Sequence, residues 1–391
     1  MSFKLSLPSR RLPREVVGLD IEPGFVAAAE ARVNGSVSVH RAAGAPLELD
    51  VVRDGEVLDA DGLTAVLVRL FEESHLPRNV RLGVANQRTV LRTLELPPIT
   101  DRKELAAAVR FQAQDEVPMP LHNAVLDFQP LGIVETPAGP RQRVVLVAAQ
   151  RDMVERLLAA VRAAGLRPVG VDLAAFAMIR SLYHPGDEGR VVYLGVGGLT
   201  NMAVAEGSTC RFTRVLGGGM ESMAADLAGR RQISLPEARE LLVGVGMEGV
   251  DAPAVAVRTS EPVFDPALGF SRDDEDDLDV AIAPPPPAPA PAPAPAPDAD
   301  VRRVLVSGVR EIAGEVRNSL DFQQSHDGGD QVRSVILSGP GLDVPGLAAA
   351  LERELGLPVE PRVVDGAIDA GPQAAQRLTV ATGLAIEEPL S

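Results

Sequence analysis

Two stretches of this chain, VVGLDIEPGFVAAAEA at residues 16–31 and VVYLGVGGLTNMAVAE at residues 191–206, align without a gap. Each opens on Val-Val and places a Leu at the same position. Each then passes through a Gly- or Pro-containing turn into an Ala-rich second run. An apolar run, a tight turn and another apolar run read as a β-hairpin. A hairpin that recurs in this way constrains the chain to two related halves meeting near residue 190. At 391 residues the chain is long enough for two domains or one large bilobed one.

Around the hairpins, strand-like and helical patterns alternate. VRLGVA (80–85), RVVLVAA (143–149), MAVAEG (202–207) and SVILSG (334–339) read as strands. One helix begins near Thr100, where Asp101 and Glu104 have capping-box spacing, and stops before Pro118. A second runs from about Asp152 to Ala164 and ends at Gly165, a natural position for left-handed backbone. A third covers about 301–322, with Val301, Leu305, Val309, Ile312, Val316 and Leu320 in one apolar stripe, and a fourth spans 346–355 before Gly356. The pattern predicts an α/β protein whose sheets are covered by helices. With 46% hydrophobic residues, 3% aromatics and no tryptophan, its core is built from Val, Leu, Ile and Ala.

Several function classes are excluded at this point. A formal net charge of −16 argues against general nucleic-acid binding, whose footprint is a basic stripe. Part of the acidity is local, in Asp273, Asp274, Glu275, Asp276 and Asp277, which read as a solvated run. A single cysteine, Cys210, rules out an intrachain disulfide and a CxxC metal knuckle, and the five histidines lack metal-ligand spacing. No apolar run approaches the ~20 residues of a transmembrane helix. The start, MSFKLSLPSRRLPREVV, lacks the apolar stretch of a signal peptide, so a soluble cytoplasmic protein is expected. PPPPAPAPAPAPAP, at 284–297, favours polyproline II, about 3.1 Å per residue, and reads as a semi-rigid tether.

Longer segments carry a family resemblance. QDEVPMPLHNAVLDFQPLG (114–132), RPVGVDLAAFAMIRSL (167–182), RFTRVLGGGMESMAADLAGRRQISLPEARELL (211–242), EVRNSLDFQQSH (315–326) and SVILSGPGLDVPGLAAALERELGLPVE (334–360) occur in the order and spacing of one family. Through them the chain resembles the type IV pilus assembly protein PilM family of the actin-like ATPase superfamily.

The resemblance implies a bilobed actin-like fold of two RNase-H-like halves with inserted smaller subdomains. It divides the chain into a tail (1–14), a first half (15–190, with a subdomain 1C insertion at about 86–166) and a second half (191–391). The acidic and Pro/Ala-rich insert at 272–300 falls within the second half. It further implies ATP with Mg²⁺ between the halves and a cytoplasmic protein peripheral to the inner face of the membrane. The implied partners are a PilN-like bitopic protein, bound through its N-terminal cytoplasmic peptide beside subdomain 1C, and pilus motor or platform proteins. Val109, Phe111 and Val117 are candidates for that groove, though such residues are more often simply core.

Phosphate-binding hairpins need small residues at their tips so that backbone N–H groups can approach the phosphate oxygens. They usually carry an Asp that holds Mg²⁺. Carried over onto this sequence, the first hairpin supplies Asp20, as Mg²⁺ ligand, and Gly24, while the second supplies Gly197, Gly198 and Thr200. Gly217 and Gly218 precede a helix, and Gly339 and Gly341 belong to the adenosine-side SGPG. Asp172 resembles the acid that orients water in superfamily ATPases, and it also suits a strand-end aspartate. The departures are Glu22 for Gly, Ala27 for Lys, Gly195 for Asp, Pro340 for Gly, and Arg239 and Leu242 for Glu and Lys. They touch both hairpins and the adenosine side, so the expectation is a scaffold with a degenerate nucleotide site and little or no hydrolysis. The alternative is a working ATPase or small-molecule kinase, which needs an acid where Gly195 stands. A cell-division actin homologue of the FtsA type would end in an amphipathic helix, whereas this chain ends in the acidic, Pro389-containing LTVATGLAIEEPLS.

Overall fold

The structure is a computed structural model and describes residues 15–34, 36–137, 139–247, 298–327, 331–366 and 372–386. The tail (1–14), the acidic run, the polyproline stretch and all but the last residues of the 272–300 insert lie outside the described residues.

Two five-stranded sheets repeat one topology. In the first, the order is Arg167–Leu173, Asn79–Val84, Val17–Glu22, Phe25–Val33, Val37–Pro46. In the second, it is Val359–Pro361, Val332–Ser338, Arg190–Val196, Thr200–Glu206, Thr209–Leu216. Each sheet is an antiparallel three-strand meander extended by two parallel strands. The recurring hairpins occupy equivalent places, Val17–Glu22 with Phe25–Val33 and Arg190–Val196 with Thr200–Glu206. This is the bilobed actin-like arrangement.

The central strands are apolar at nearly every position because both of their faces are buried. Along Arg190–Val196, Val192, Leu194 and Val196 join one core while Val191 and Tyr193 join another, following the two-residue period of a strand. The outer core of the first half packs helices Ala60–Ser74 and Arg151–Ala163 on its sheet. The outer core of the second half packs Met220–Arg231, Leu235–Val245, Ala299–Asp327 and Leu347–Leu355 on the other. Between the two sheets lie helices Ala174–Leu182 and Thr379–Ala385.

These two helices approach so closely that glycine is required. A Cβ on Gly383 would fall 1.8 Å from the Ala177 carbonyl oxygen, and one on Gly18 would fall 1.8 Å from that of Ala381. The free carbonyls at the end of Thr379–Ala385 are met by buried guanidinium groups. Arg81 donates to the Leu384 and Ile386 oxygens at 3.0 and 2.9 Å, and Arg180 donates to that of Gly383 at 3.0 Å. Arg362 does the same for Leu182 at 2.8 Å while pairing with Asp187.

A smaller three-stranded antiparallel sheet, Val90–Leu96, Gly139–Gln150 and Ala124–Thr136, is inserted in the first half. Helix Arg102–Glu116 covers it, started by Asp101, whose carboxylate accepts from the Lys103 and Glu104 amides. Leu105, Val109 and Ala113 face the sheet at helical spacing, and Val117 follows them into the core. Phe111 points the other way and is 72% exposed. Among the described residues no helix is long and apolar enough to cross a membrane.

Candidate functional site

The tips of the two recurring hairpins face each other across the cleft between the halves. The first turns at Pro23-Gly24, with Gly24 in left-handed backbone (φ 85°). The second turns at Gly197-Gly198-Leu199, where the Gly197 amide donates to the Leu199 oxygen at 3.0 Å. Ser338-Gly339-Pro340 closes one side of the cleft, and Gln376, Arg377 and Thr379 close another. Gly339 and Gly341 allow this loop to lie on Val196, whose backbone or side chain a Cβ at either position would strike at 2.7–2.9 Å.

Asp20, Gly197 and Gly339 line this cleft. Gly198 borders it through its amide, and Gly24 lies against Glu221 and Arg239 of the second half. Thr200 is wholly buried under the hairpin, its hydroxyl without a hydrogen-bond partner. Gly217 and Gly218 are not brought to the cleft. Gly217 lies against Gln87, and Gly218 lines a separate cavity of about 190 Å³ with Ser222, Asp226 and Glu311. Asp172 is also elsewhere. Its carboxylate is buried against Arg180 at 2.6 Å and accepts from the Leu173 amide, beside an apolar cavity with Val84, Val125 and Asp127.

The substituted positions have physical explanations. Where the second hairpin has Gly195 in place of an acid, a Cβ would stand 3.0 Å from the Met178 sulfur, so Met178 fills that space. Arg239 makes a bidentate ion pair with Glu221, at 2.9 and 2.7 Å. Leu242 and Pro340 are buried, and Ala27 opposes Asp20 in the hairpin register. Glu22 crosses the cleft, and its carboxylate accepts from the Gly198 amide at 2.8 Å while Arg377 stands 3.9 Å from the other oxygen.

Residues missed in the sequence matter as much. Arg377 stacks on Phe25, 4.5 Å from the ring centroid, and is the cation facing the Glu22 carboxylate. Nothing in QAAQRLT singles it out. Glu221 carried a weak signal as an acid in the first turn of a helix.

The electrostatics are those of crowded carboxyls. Burial, reinforced by Glu22, pushes the Asp20 carboxyl well above its ordinary range. Burial pushes Glu22 up to about 7, with Arg377 and the Gly198 amide opposing and Glu221 adding to the rise. The volume of the cleft is about 40 Å³, against the roughly 300–1,000 Å³ of small-molecule sites. With the Glu22 carboxylate on the Gly198 amide, the cleft in this arrangement has no room for a polyphosphate.

The raised carboxyls also fix a pH dependence. Asp127, held up to about 6 by burial, behaves like Glu22. A carboxyl with a raised native pKa binds its proton more tightly folded than unfolded, so stability grows as pH falls from above 7 towards 6. The urea midpoint is expected to be higher at pH 6 than at pH 8, with a smaller difference for Glu22→Gln. A midpoint that drops toward pH 6 refutes this.

The family model for type IV pilus assembly protein PilM matches residues 18–239, more than half of the chain. The chain belongs to the PilM family. The matched region runs from the first hairpin through the inserted sheet and the second hairpin to Arg239, so it contains both sides of the Glu22–Gly198 contact. The solved PilM-PilN type IV pilus biogenesis complex is similar at 23% identity over 95% of this chain and 98% of that one, with a TM-score of 0.71. Ethanolamine utilization protein EutJ from Carboxydothermus hydrogenoformans is similar at 16% identity over 96% and 90%, with a TM-score of 0.50. MreB5 of Spiroplasma citri, solved bound to ADP, matches at 10% identity over 95% and 94%, with a TM-score of 0.48.

Proposed function

We propose that this PilM-family chain is an adaptor of the type IV pilus assembly platform, binding the N-terminal cytoplasmic peptide of a PilN-like membrane protein. It works at the inner face of the cytoplasmic membrane, in contact with further platform or motor proteins, and hydrolyses little or no ATP. Family membership supports the pathway, and the solved relative is itself a PilM-PilN complex. The observation on this chain that carries the reading is Phe111. A phenylalanine 72% exposed, one turn after the exposed Ala107, on a helix whose other exposed side chains are charged or polar, is an anchor for an apolar peptide residue. The crowded cleft supports the absence of efficient turnover, since phosphoryl transfer depends on positioned metal and charge.

A synthetic peptide spanning the cytoplasmic segment of a PilN-like protein from the same genome tests the proposal by fluorescence anisotropy. Saturable binding, weakened at least about tenfold by Phe111→Ala as for a loss of ~1.4 kcal/mol or more, is expected. Failure of the unmodified chain to bind removes the adaptor reading. Equal binding by the variant removes Phe111 from the groove.

A further inference from the structure

The strongest unexplained feature of the molecule is the contact between its two hairpin tips. The second hairpin presents the Gly198 amide as a phosphate loop would, and the amide already has an acceptor, the Glu22 carboxylate at 2.8 Å. The fit is tight on both sides. A Cβ on Gly197 would fall 2.4 Å from the Glu22 oxygen, and one on Gly198 would fall 2.2 Å from the Pro23 carbonyl oxygen. Gly24 is packed in the same way, 2.6 Å from Glu221 when given a Cβ and 3.0 Å from Arg239. Three consecutive residues of the first half, Glu22 to Gly24, thus dock onto the second.

A carboxylate and a phosphate oxygen are equivalent acceptors for a backbone N–H, and both attract a guanidinium. Charges facing Glu22 come from every element around it: Asp20 on its own strand, Glu221 and Arg239 on adjacent helices, and Arg377 with its neighbour Asp343 on the far wall. Gly198 and Arg377 face different oxygens of the carboxylate, at 2.8 and 3.9 Å, as they would those of a phosphate.

We infer that Glu22 is a resident stand-in for a phosphate group, which holds the two hairpins together and occupies an anion site formed by the Gly198 amide and Arg377. The ligand it keeps out is a nucleoside polyphosphate, and this rests on the reading of the cleft as a degenerate nucleotide site, not on the peptide groove. Replacing Glu22 by a small residue uncovers the site.

The test titrates Mg-ATP into the full chain and its Glu22→Ala variant by calorimetry, and compares amide hydrogen exchange through residues 196–200 without ligand. Glu22→Ala is expected to bind at least tenfold tighter than the unmodified chain and to exchange faster at the second hairpin. Adding Arg377→Ala abolishes the gain. Glu22→Gln, which keeps the shape without the charge, gives an intermediate affinity and serves if the alanine variant fails to fold. Equal or weaker affinity in the Glu22 variants, including no binding by any of them, overturns the inference. So does a gain that survives Arg377→Ala. Peptide binding is measured on the same preparations, so a chain that binds peptide yet shows no effect of Glu22 refutes this inference and leaves the adaptor function standing.

Discussion

Gly383→Ala is expected to destabilise this protein by about 3 kcal/mol or more, the upper part of the range for overpacked cores. The added Cβ falls 1.8 Å from the Ala177 oxygen and 2.4 Å from the carbonyl carbon, both backbone atoms. A flexible side chain could swing away, but a peptide group moves only with its helix. Ala174–Leu182 is buried along its whole length between the two sheets, so it has nowhere to go. The matched control is Gly229→Ala, on the exposed side of Met220–Arg231, where a Cβ meets nothing within 4 Å. There the better helix former gains up to about 1 kcal/mol. Urea denaturation of both variants reads the contrast directly, and a Gly383→Ala midpoint equal to that of the unmodified chain would contradict the helix packing.

The same glycine shows what the sequence can and cannot reveal. Hairpins, strand runs and capped helices are local, and they were legible because hydrophobic period and cap chemistry act over a few residues. Asp101 starts its helix and Gly165 and Gly356 follow theirs in left-handed backbone, as their spacing predicts. Val109, Phe111 and Val117 stood together as candidates in the sequence, and the structure separates them, with Val109 and Val117 in the core of the inserted sheet and Phe111 outside it.

What fixes the cleft is not local. Gly383 is glycine because of Ala177, Met178 fills the space beside Gly195, and Arg239 pairs with a Glu on another helix. No periodicity joins Glu22 to Gly198, 176 positions away. The resemblance correctly located the hairpins in the fold. It could say that Glu22 departs from the family pattern, and only the geometry shows where the carboxylate goes.

Asp172 is the sharpest case, and its substitution separates two readings of one residue. As an acid orienting water, it would affect turnover and leave stability alone. In the structure it is the partner of Arg180, with side-chain exposures of 0% and 1%. Buried ion pairs are strongly destabilised by removing one member, by about 3–5 kcal/mol, because the other charge is left without compensation. Arg180→Met strands the Asp172 carboxylate and withdraws the donor from the Gly383 carbonyl at the end of the crossing helix. It is therefore expected to cost about 3–5 kcal/mol. Asp172→Asn leaves the guanidinium buried beside a neutral amide and also destabilises. If the two groups act as a pair, the double variant loses less than the sum of the singles, with a coupling of about 1–3 kcal/mol. Additive losses would dissolve the pair. A chain in which Asp172→Asn keeps its full urea midpoint but loses ATP hydrolysis would restore the catalytic reading, and with it the working ATPase.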